Sequence, residues 1–425
     1  MNYVIIGNSV AAVGAIRGIR KVDSEGTITV ISRERHVAYG RPLISYLLGG
    51  AVTEKRMPYL PADFYEKNRV NLLLGREVVS VDSEASQVKL AGGDVIPYGR
   101  LLIATGGDPF VPPIEGMAGK ERVFTFTTWD DAARIKGMSA DIRKVVVVGG
   151  GLIGLKAAEG LHQIDKQVTI VELADRILSA AFDLNAGRIV AKKMKANGID
   201  VINGDTAVRI DGEGEEIIGV TLKSGDFIPC DTVIVAIGVR PAASFLKGSG
   251  IEVNRGVVVD DTMRTSVPNV YAAGDVAEAR DFFYGKKLPM PIWPDAYIQG
   301  DIAGISMAGG EIEYQGGLLM NSIELFKIPT ISMGITNPDP GDRYEVLTYL
   351  DLGASVYRKI VLEEGRLVGA VLLGKVDRAG IFAGLIRQRV EVAPFKDHLL
   401  DPEFGFVHLP KEMRTTLFSP EGKAA

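Results

Sequence analysis

The hydrophobic pattern of the chain is built from short unbroken apolar runs that end at glycine and give way to helical spacing. Tyr3-Val-Ile-Ile6 leads into Gly7-Asn-Ser-Val-Ala-Ala12 and a helix through about Arg20, and Thr27-Ile-Thr-Val-Ile31 follows as a second strand. Lys144-Val-Val-Val-Val148 leads into Gly149-Gly-Gly151, an apolar helix through Leu161 and a strand Val168-Thr-Ile-Val-Glu172. Unbroken runs of this kind suit strands covered on both faces, and their alternation with helices predicts parallel βαβ units. From about Ser322 the rhythm changes. Ser322–Phe326, Ile328–Gly334, Tyr344–Leu350, Ser355–Leu362 and Leu367–Leu373 read as strands, with turn signals at Asn337-Pro-Asp-Pro-Gly341 and Glu364-Gly365, and Ala379–Arg387 reads as a helix. This last region is expected to be an α+β module.

The two glycine turns carry the first chemistry. Gly149, Gly151 and Gly154 fit G-x-G-x-x-G, with Leu152 and Ile153 opening the helix. The first glycine makes the turn, the second lets backbone approach a pyrophosphate, and the third lets helix and strand pack closely. Glu172, eighteen residues beyond Gly154, stands at the spacing from which an acid reaches the adenosine ribose hydroxyls. The amino-terminal loop is a looser copy: Gly7 comes first, Ser9 replaces the second glycine, Ala12 takes the third place, and Glu34 is the candidate ribose acid. Two such loops in one chain suggest two different dinucleotides.

Composition narrows the class. At 425 residues, with 46% hydrophobic and 24% charged, the chain has the length and balance of two or three globular domains. A formal charge of −5 gives no electrostatic case for nucleic acid or an anionic membrane, no apolar run reaches the length of a membrane span, and no signal-peptide pattern opens the sequence, so a cytoplasmic enzyme is expected. Cys230 is the sole cysteine, in an apparent strand Phe227–Val235, and reads as core. A lone cysteine makes no intrachain disulfide and holds no iron–sulfur cluster. His36, His162, His398 and His408 lack metal-ligand spacing, so no metal site is expected.

Further segments carry a resemblance. Tyr39-Gly-Arg-Pro-Leu-Ile-Ser45, Leu101-Leu-Ile-Ala-Thr-Gly-Gly-Asp-Pro109, Val233-Ile-Val-Ala-Ile-Gly-Val-Arg-Pro241, Val267-Pro-Asn-Val-Tyr-Ala-Ala-Gly-Asp275 and Trp293-Pro-Asp-Ala-Tyr-Ile-Gln-Gly300 stand in that order. With the glycine loops they resemble the FAD-dependent pyridine nucleotide–disulfide oxidoreductase superfamily, in its branch without a redox disulfide: rubredoxin reductases, ferredoxin reductases and the flavin portion of NAD(P)H nitrite reductases. The resemblance implies an FAD site of Gly7, Ser9, Ala12, Glu34, Arg41, Pro42, Val78, Ala104, Thr105, Gly106, Gly274, Asp275 and Trp293. It implies an NAD site of Gly149, Gly151, Leu152, Ile153, Gly154, Glu172 and Gly238. Asp275 is expected to hold the ribityl chain at the start of a helix aimed at the flavin, though it would equally serve as that helix's cap. The fold class expected is α/β, two nested Rossmann-like dinucleotide-binding domains with a carboxyl-terminal α+β interface domain. FAD-domain sequence spans 1–112 and 242–317, the inserted NAD domain 113–241, and the interface domain 318–425.

The exit for electrons is read from what the motifs lack. Thiol-dependent members of the superfamily place a cysteine before the proline of the early motif, whereas this chain has Tyr39-Gly-Arg-Pro42, so electrons are expected to pass to an external acceptor. NADH is favoured over NADPH because Glu172 would repel a ribose phosphate; Arg176 leaves that choice open. Lys156 stands where close relatives carry glutamate. With Arg41 and Trp293 it is a candidate catalytic residue, as a positive charge beneath the flavin–nicotinamide contact, or else it extends to the helix surface. The function expected is an FAD-dependent NAD(P)H:acceptor oxidoreductase exchanging electrons with rubredoxin, ferredoxin or an iron–sulfur subunit of a larger complex. An NADH oxidase and a redox-gated FAD/NADH-binding interaction protein are the alternatives. The carboxyl-terminal domain is the expected surface for a homo-oligomer or hetero-complex, and the tail after Leu400 either packs on a partner or is loosely ordered.

Overall fold

The computed structural model describes residues 1–339, 341 and 343–418. The chain forms two compact units, one of Met1–Pro113, Phe124–Asp141 and Ala236–Leu318, the other of Ile114–Val123, Ile142–Val235 and Leu319–Ala425. Among the described residues no helix is long and apolar enough to cross a membrane.

The first unit is organised around a five-stranded sheet in the order Val270–Ala272, Arg100–Ile103, Asn2–Ile6, Thr27–Ser32, Val70–Leu74. Every pairing is parallel, with Ile6 opposite both Ile31 and Ile103. Val4, Ile5, Val30, Leu101, Leu102 and Ile103 are wholly buried, as unbroken apolar runs require. Two helices, Val10–Val22 and Trp293–Met307, pack together where glycines face backbone. A Cβ added at Gly300 would stand 2.0 Å from the Ala11 carbonyl oxygen, one at Gly304 2.2 Å from that of Ala15, and one at Gly18 2.2 Å from that of Asp301. Only glycine allows that approach. A satellite antiparallel sheet, Val78–Asp82, Gln87–Leu90 and Val95–Pro97, completes the unit's strands beside two short ribbons.

The second unit repeats the arrangement. Its parallel sheet runs Asp200–Asn203, Gln167–Glu172, Lys144–Val148, Thr232–Val235, and ends at the short strand Val123–Phe124, where the chain passes between units. The carboxyl-terminal sheet is antiparallel, in the order Met320–Leu325, Ile328–Gly334, Arg366–Leu373, Val356–Glu363, Tyr344–Asp351. Its tight turns use paired left-handed residues, Phe326-Lys327 at φ +49° and +65° and Glu364-Gly365 at +48° and +72°. Helix Ala379–Arg387 packs on this sheet.

Two details depart from the sequence expectations. The apparent strand Phe227–Val235 is two strands in different sheets, Phe227–Pro229 and Thr232–Val235. Past Pro229 the ladder makes one more bond, from the Cys230 N–H to the Ile218 carbonyl at 3.2 Å, and the Asp231 carboxylate then accepts from the backbone N–H groups of Arg143 and Lys144 at 3.0 Å each. Cys230 lies buried between the two strands. Also, Phe124–Asp141, which falls within the sequence range 113–241, belongs to the first unit. Its helix Trp129–Gly137 starts with a capping box, Thr128 with Asp131, and buries Trp129, Ala132 and Ile135. The polar end Pro420–Ala425 lies outside the described residues.

The glycine contacts give a paired test. Gly300→Ala should lower the thermal unfolding temperature, because overpacking against fixed backbone costs on the order of 1–3 kcal/mol. Gly384→Ala, inside helix Ala379–Arg387 with open space around it, should raise stability by about 0.5–1 kcal/mol. Circular dichroism melts that place both variants at the wild-type midpoint would contradict the tight packing.

Candidate functional site

In the first unit Gly7, Glu34, Ala104, Thr105, Gly106, Gly274 and Asp275 follow the carboxyl ends of the parallel strands. Gly7 turns at φ +108°, and a Cβ there would stand 2.1 Å from the Ala104 carbonyl oxygen. The Gly7 N–H donates to Ile31 and the Ala104 N–H to Ile6, each at 2.8 Å. The strands holding Gly7 and Ala104 are neighbours from which the sheet order runs in opposite directions, which is where open α/β sheets leave a crevice. Ser9 is the extended N-cap of helix Val10–Val22 and makes no side-chain cap, and Ala12 is fully buried in the first turn. First-turn N–H groups are thus left for an anion, as a pyrophosphate requires. The Thr105 hydroxyl donates to Ala242 at 2.8 Å and the Gly106 carbonyl accepts from Ala242 at 2.9 Å, fastening this turn to the returning chain.

Glu34 is held by both oxygens. One pairs with Arg41 Nη2 at 2.6 Å and the other accepts from the Tyr39 hydroxyl at 2.7 Å. Arg41 Nη1 donates to the Thr127 carbonyl at 2.7 Å, and the Tyr39 oxygen accepts from the Trp129 N–H at 3.0 Å. His36 stacks on Trp129 with ring centroids 4.2 Å apart. Pro42 follows Arg41 in a 3₁₀ turn. The 127–129 segment thereby fixes the early motif, a role that sequence reading missed; its visible signal was the Thr128–Asp131 capping box.

Asp275 is not at a helix start. Gly274 turns at φ +81° and accepts from the Ala277 N–H at 2.8 Å, sending the chain into strand Ala277–Arg280, so Asp275 caps no helix and none aims at a flavin from there. The nearby helix is Trp293–Met307. Its Gln299 accepts from the Gly274 N–H at 2.9 Å and donates to Asp295 at 2.8 Å, and Asp295 also accepts from the Tyr314 hydroxyl at 2.8 Å. This buried network, formed from a motif noted in the sequence and from Tyr314, which was not, sets the Gly274-Asp275 turn. Burial pushes the Asp275 carboxyl up to about 6, with Asp295 adding to the rise and Arg41 opposing it. Trp293 opens the helix and meets Tyr59 edge-on at 5.7 Å. Val78 is buried at the start of the satellite sheet, and Gly238, at φ +129°, also belongs to the first unit.

The second unit holds the other loop. Gly149 turns at φ +112°, and a Cβ on Gly154 would stand 1.9 Å from the Gly149 carbonyl oxygen. Gly151 faces open space and is the extended N-cap of helix Leu152–Gln163, without a side-chain cap; Leu152 and Ile153 form the first turn. The Glu172 carboxylate accepts from the N–H groups of Gly150 at 2.5 Å and Ala174 at 2.7 Å, which places it beside the loop. These are the features a second dinucleotide needs. Lys156, one turn into the helix, is not at its surface: its side chain is 14% exposed and its ammonium pairs with Glu159. It also lies 3.4 Å from the Glu324 carbonyl, while Glu159 accepts from the Phe326 N–H at 2.8 Å. Its charge is therefore compensated by Glu159 on the same helix, beside the carboxyl-terminal hairpin.

The raised Asp275 gives a pH signature. A carboxyl lifted from 3.8 to about 6 contributes stability that is complete below its ordinary value and is lost as the pH climbs through about 6. In FAD-free protein, Asp275→Asn should therefore gain stability relative to wild type across that interval. Denaturant melts at a series of pH values measure it, and parallel pH profiles would contradict the shift.

Residues 1–300 match the family model described as pyridine nucleotide-disulphide oxidoreductase, and residues 320–390 match the rubredoxin NAD+ reductase C-terminal domain. The chain is 34% identical over 403 residues to the NADH-dependent phenylglyoxylate dehydrogenase subunit epsilon of Aromatoleum evansii, covering 94% of each. It is 32% identical to the nitrite reductase [NAD(P)H] of Bacillus subtilis, where 92% of this chain spans 48% of that protein. Among solved structures, the NAD-dependent persulfide reductase from A. fulgidus superposes with a TM-score of 0.86 at 26% identity, over 98% of this chain and 83% of that one. With both glycine loops and the order of motifs already in place, the chain belongs to the pyridine nucleotide-disulphide oxidoreductase family, as an FAD-dependent NAD(P)H oxidoreductase.

Proposed function

We infer that the protein passes electrons between NADH and an external one-electron carrier, a rubredoxin- or ferredoxin-like protein or an iron–sulfur subunit, and that it serves as the flavin subunit of a larger complex. The observation that carries this reading is the state of its sole thiol. Cys230 is buried, its thiol pushed up to about 12 chiefly by burial, and the early motif offers Tyr39 and Arg41 in place of a cysteine. A neutral, enclosed thiol is neither a nucleophile nor a sulfenic acid in waiting. Likeness to a subunit of an NADH-dependent dehydrogenase, and to the carboxyl-terminal domain of rubredoxin reductase, supports a protein acceptor.

In this reading FAD lies along 1–112 and 242–317, NADH along 113–241, and 318–425 is the interface domain, with the 127–129 segment contributing to the FAD side. Bound FAD would supply a centre that accepts one hydride, two electrons together, and releases electrons one at a time. The residues of the chain do the holding. Gly7 and Ala104 let the first dinucleotide approach backbone, Ser9 and Ala12 open the helix to its pyrophosphate, and Arg41 keeps Glu34 fixed. The Gln299–Asp295–Tyr314 network orients Gly274 and Asp275 toward the ribityl hydroxyls. Gly149, Gly151 and Gly154 take the NADH pyrophosphate, and Glu172 its adenosine ribose. Lys156 acts through Glu159, as a positioning residue for the loop helix.

Anaerobic stopped-flow reduction by NADH, followed by mixing with either air or rubredoxin, tests the reading. Fast flavin reduction, slow reoxidation by air and fast reoxidation by the carrier are expected. Rapid turnover in air alone would identify an oxidase, and slow reduction with an oligomerisation change would identify a binding protein. Gly154→Ala should weaken NADH binding by roughly tenfold, about 1.4 kcal/mol, with FAD content retained; equal losses of both would contradict the assignment of the loops.

A further inference from the structure

The loop that follows Glu172 is held from two sides. Arg176 spends its guanidinium inside the loop: Nε donates to the Phe182 carbonyl at 2.8 Å, Nη1 pairs with Asp175 at 2.6 Å, and Nη2 lies 3.4 Å from the Ser179 carbonyl. Leu178, at φ +54°, donates its N–H to Gly150 of the glycine turn at 2.9 Å, and Ile177, Leu178 and Phe182 are buried. The second hold comes from the carboxyl-terminal module, first from the bend that follows strand Ile328–Gly334. Asn337 Nδ2 donates to the same two carbonyls, Ser179 at 3.0 Å and Phe182 at 3.4 Å. At the end of the loop Asp183 caps helix Leu184–Ala196, accepts from the Tyr357 hydroxyl at 2.6 Å and pairs with Lys359 at 3.1 Å. Lys359 is 8% exposed and Asp183 23%, so this pair is partly shielded from solvent.

An arginine four residues beyond the ribose acid has the chemistry to receive a ribose 2′-phosphate. Here each of its three nitrogens already has a partner in the loop, and the two carbonyls among those partners are shared with Asn337. We propose that Asn337 is a coenzyme-specificity residue: by pinning the 179–182 carbonyls it keeps Arg176 turned into the loop and so preserves the preference for NADH over NADPH. The carboxyl-terminal module then tunes the coenzyme site from outside it, through a residue that acts only on the loop. This rests on the reading that NADH binds at the Gly149–Gly154 loop.

The test uses the FAD-loaded full chain. Asn337→Ala removes a donor from an exposed side chain and should leave FAD content, unfolding temperature and kcat with saturating NADH near wild type. The ratio of kcat/KM for NADH to that for NADPH should fall by about three- to tenfold, the weight of one hydrogen bond, through a lower KM for NADPH. In the double variant Asn337→Ala/Arg176→Ala the gain toward NADPH should vanish, because the freed guanidinium is what receives the phosphate. Asn337→Gln, which keeps an amide donor, should recover part of the wild-type ratio. An unchanged ratio in Asn337→Ala, or an equal fall with Arg176 absent, would overturn the proposal. Failure of the underlying reading has a different sign: Glu172→Gln would then leave the affinity for NADH as it is in wild type.

Discussion

The first unit depends on the backbone contact between helices Val10–Val22 and Trp293–Met307. Glycines at 14, 18, 300 and 304 leave no Cβ where each meets the backbone of the facing helix. Widening that contact by the thickness of a methyl group would carry Gln299 away from Gly274, and with it the turn that presents Asp275. The early glycine loop and the late Ala-Gly-Asp motif are more than 260 residues apart in sequence, yet they face one crevice because two helices can touch without side chains between them. Gly274 itself obeys the same constraint, with Ala11 and Ala296 at 3.2 and 3.4 Å from where its Cβ would be.

Local rules made much of this legible. Continuous apolar runs marked the parallel strands, glycine spacing marked both loops, and Glu-Gly at 364–365 marked a hairpin. These features are set by residues adjacent in sequence, so pattern alone reaches them. Pairings between distant residues stayed hidden. Arg41 was expected at the FAD site, but nothing in its surroundings in sequence shows that it would hold Glu34 and the Thr127 carbonyl together. The break at Cys230 had a signal in Pro229, overridden by the apolar run that follows. Asp275 was read into a helix because Ala-Gly-Asp suits an N-cap, whereas the left-handed turn at Gly274 takes the chain into a strand.

Lys156 illustrates a different limit. A lysine in place of a glutamate on a loop helix reads as a change of charge at a redox centre, yet its charge is balanced within one helical turn by Glu159. Glu159 in turn binds the Phe326 N–H at the head of a hairpin more than 160 residues later. Whether a substitution changes the field at a site depends on the nearest counter-charge, and that partner is found only in three dimensions.

The enclosure of Cys230 has a consequence for the setting in which the protein works. Its thiol has almost no exposed surface to trade with glutathione, no second cysteine in the chain to close upon, and little thiolate to meet a peroxide. Flavin chemistry run on this scaffold is therefore insulated from the thiol poise of its surroundings. A disulfide switch within this chain is excluded by the same count, since Cys230 has no second cysteine to pair with.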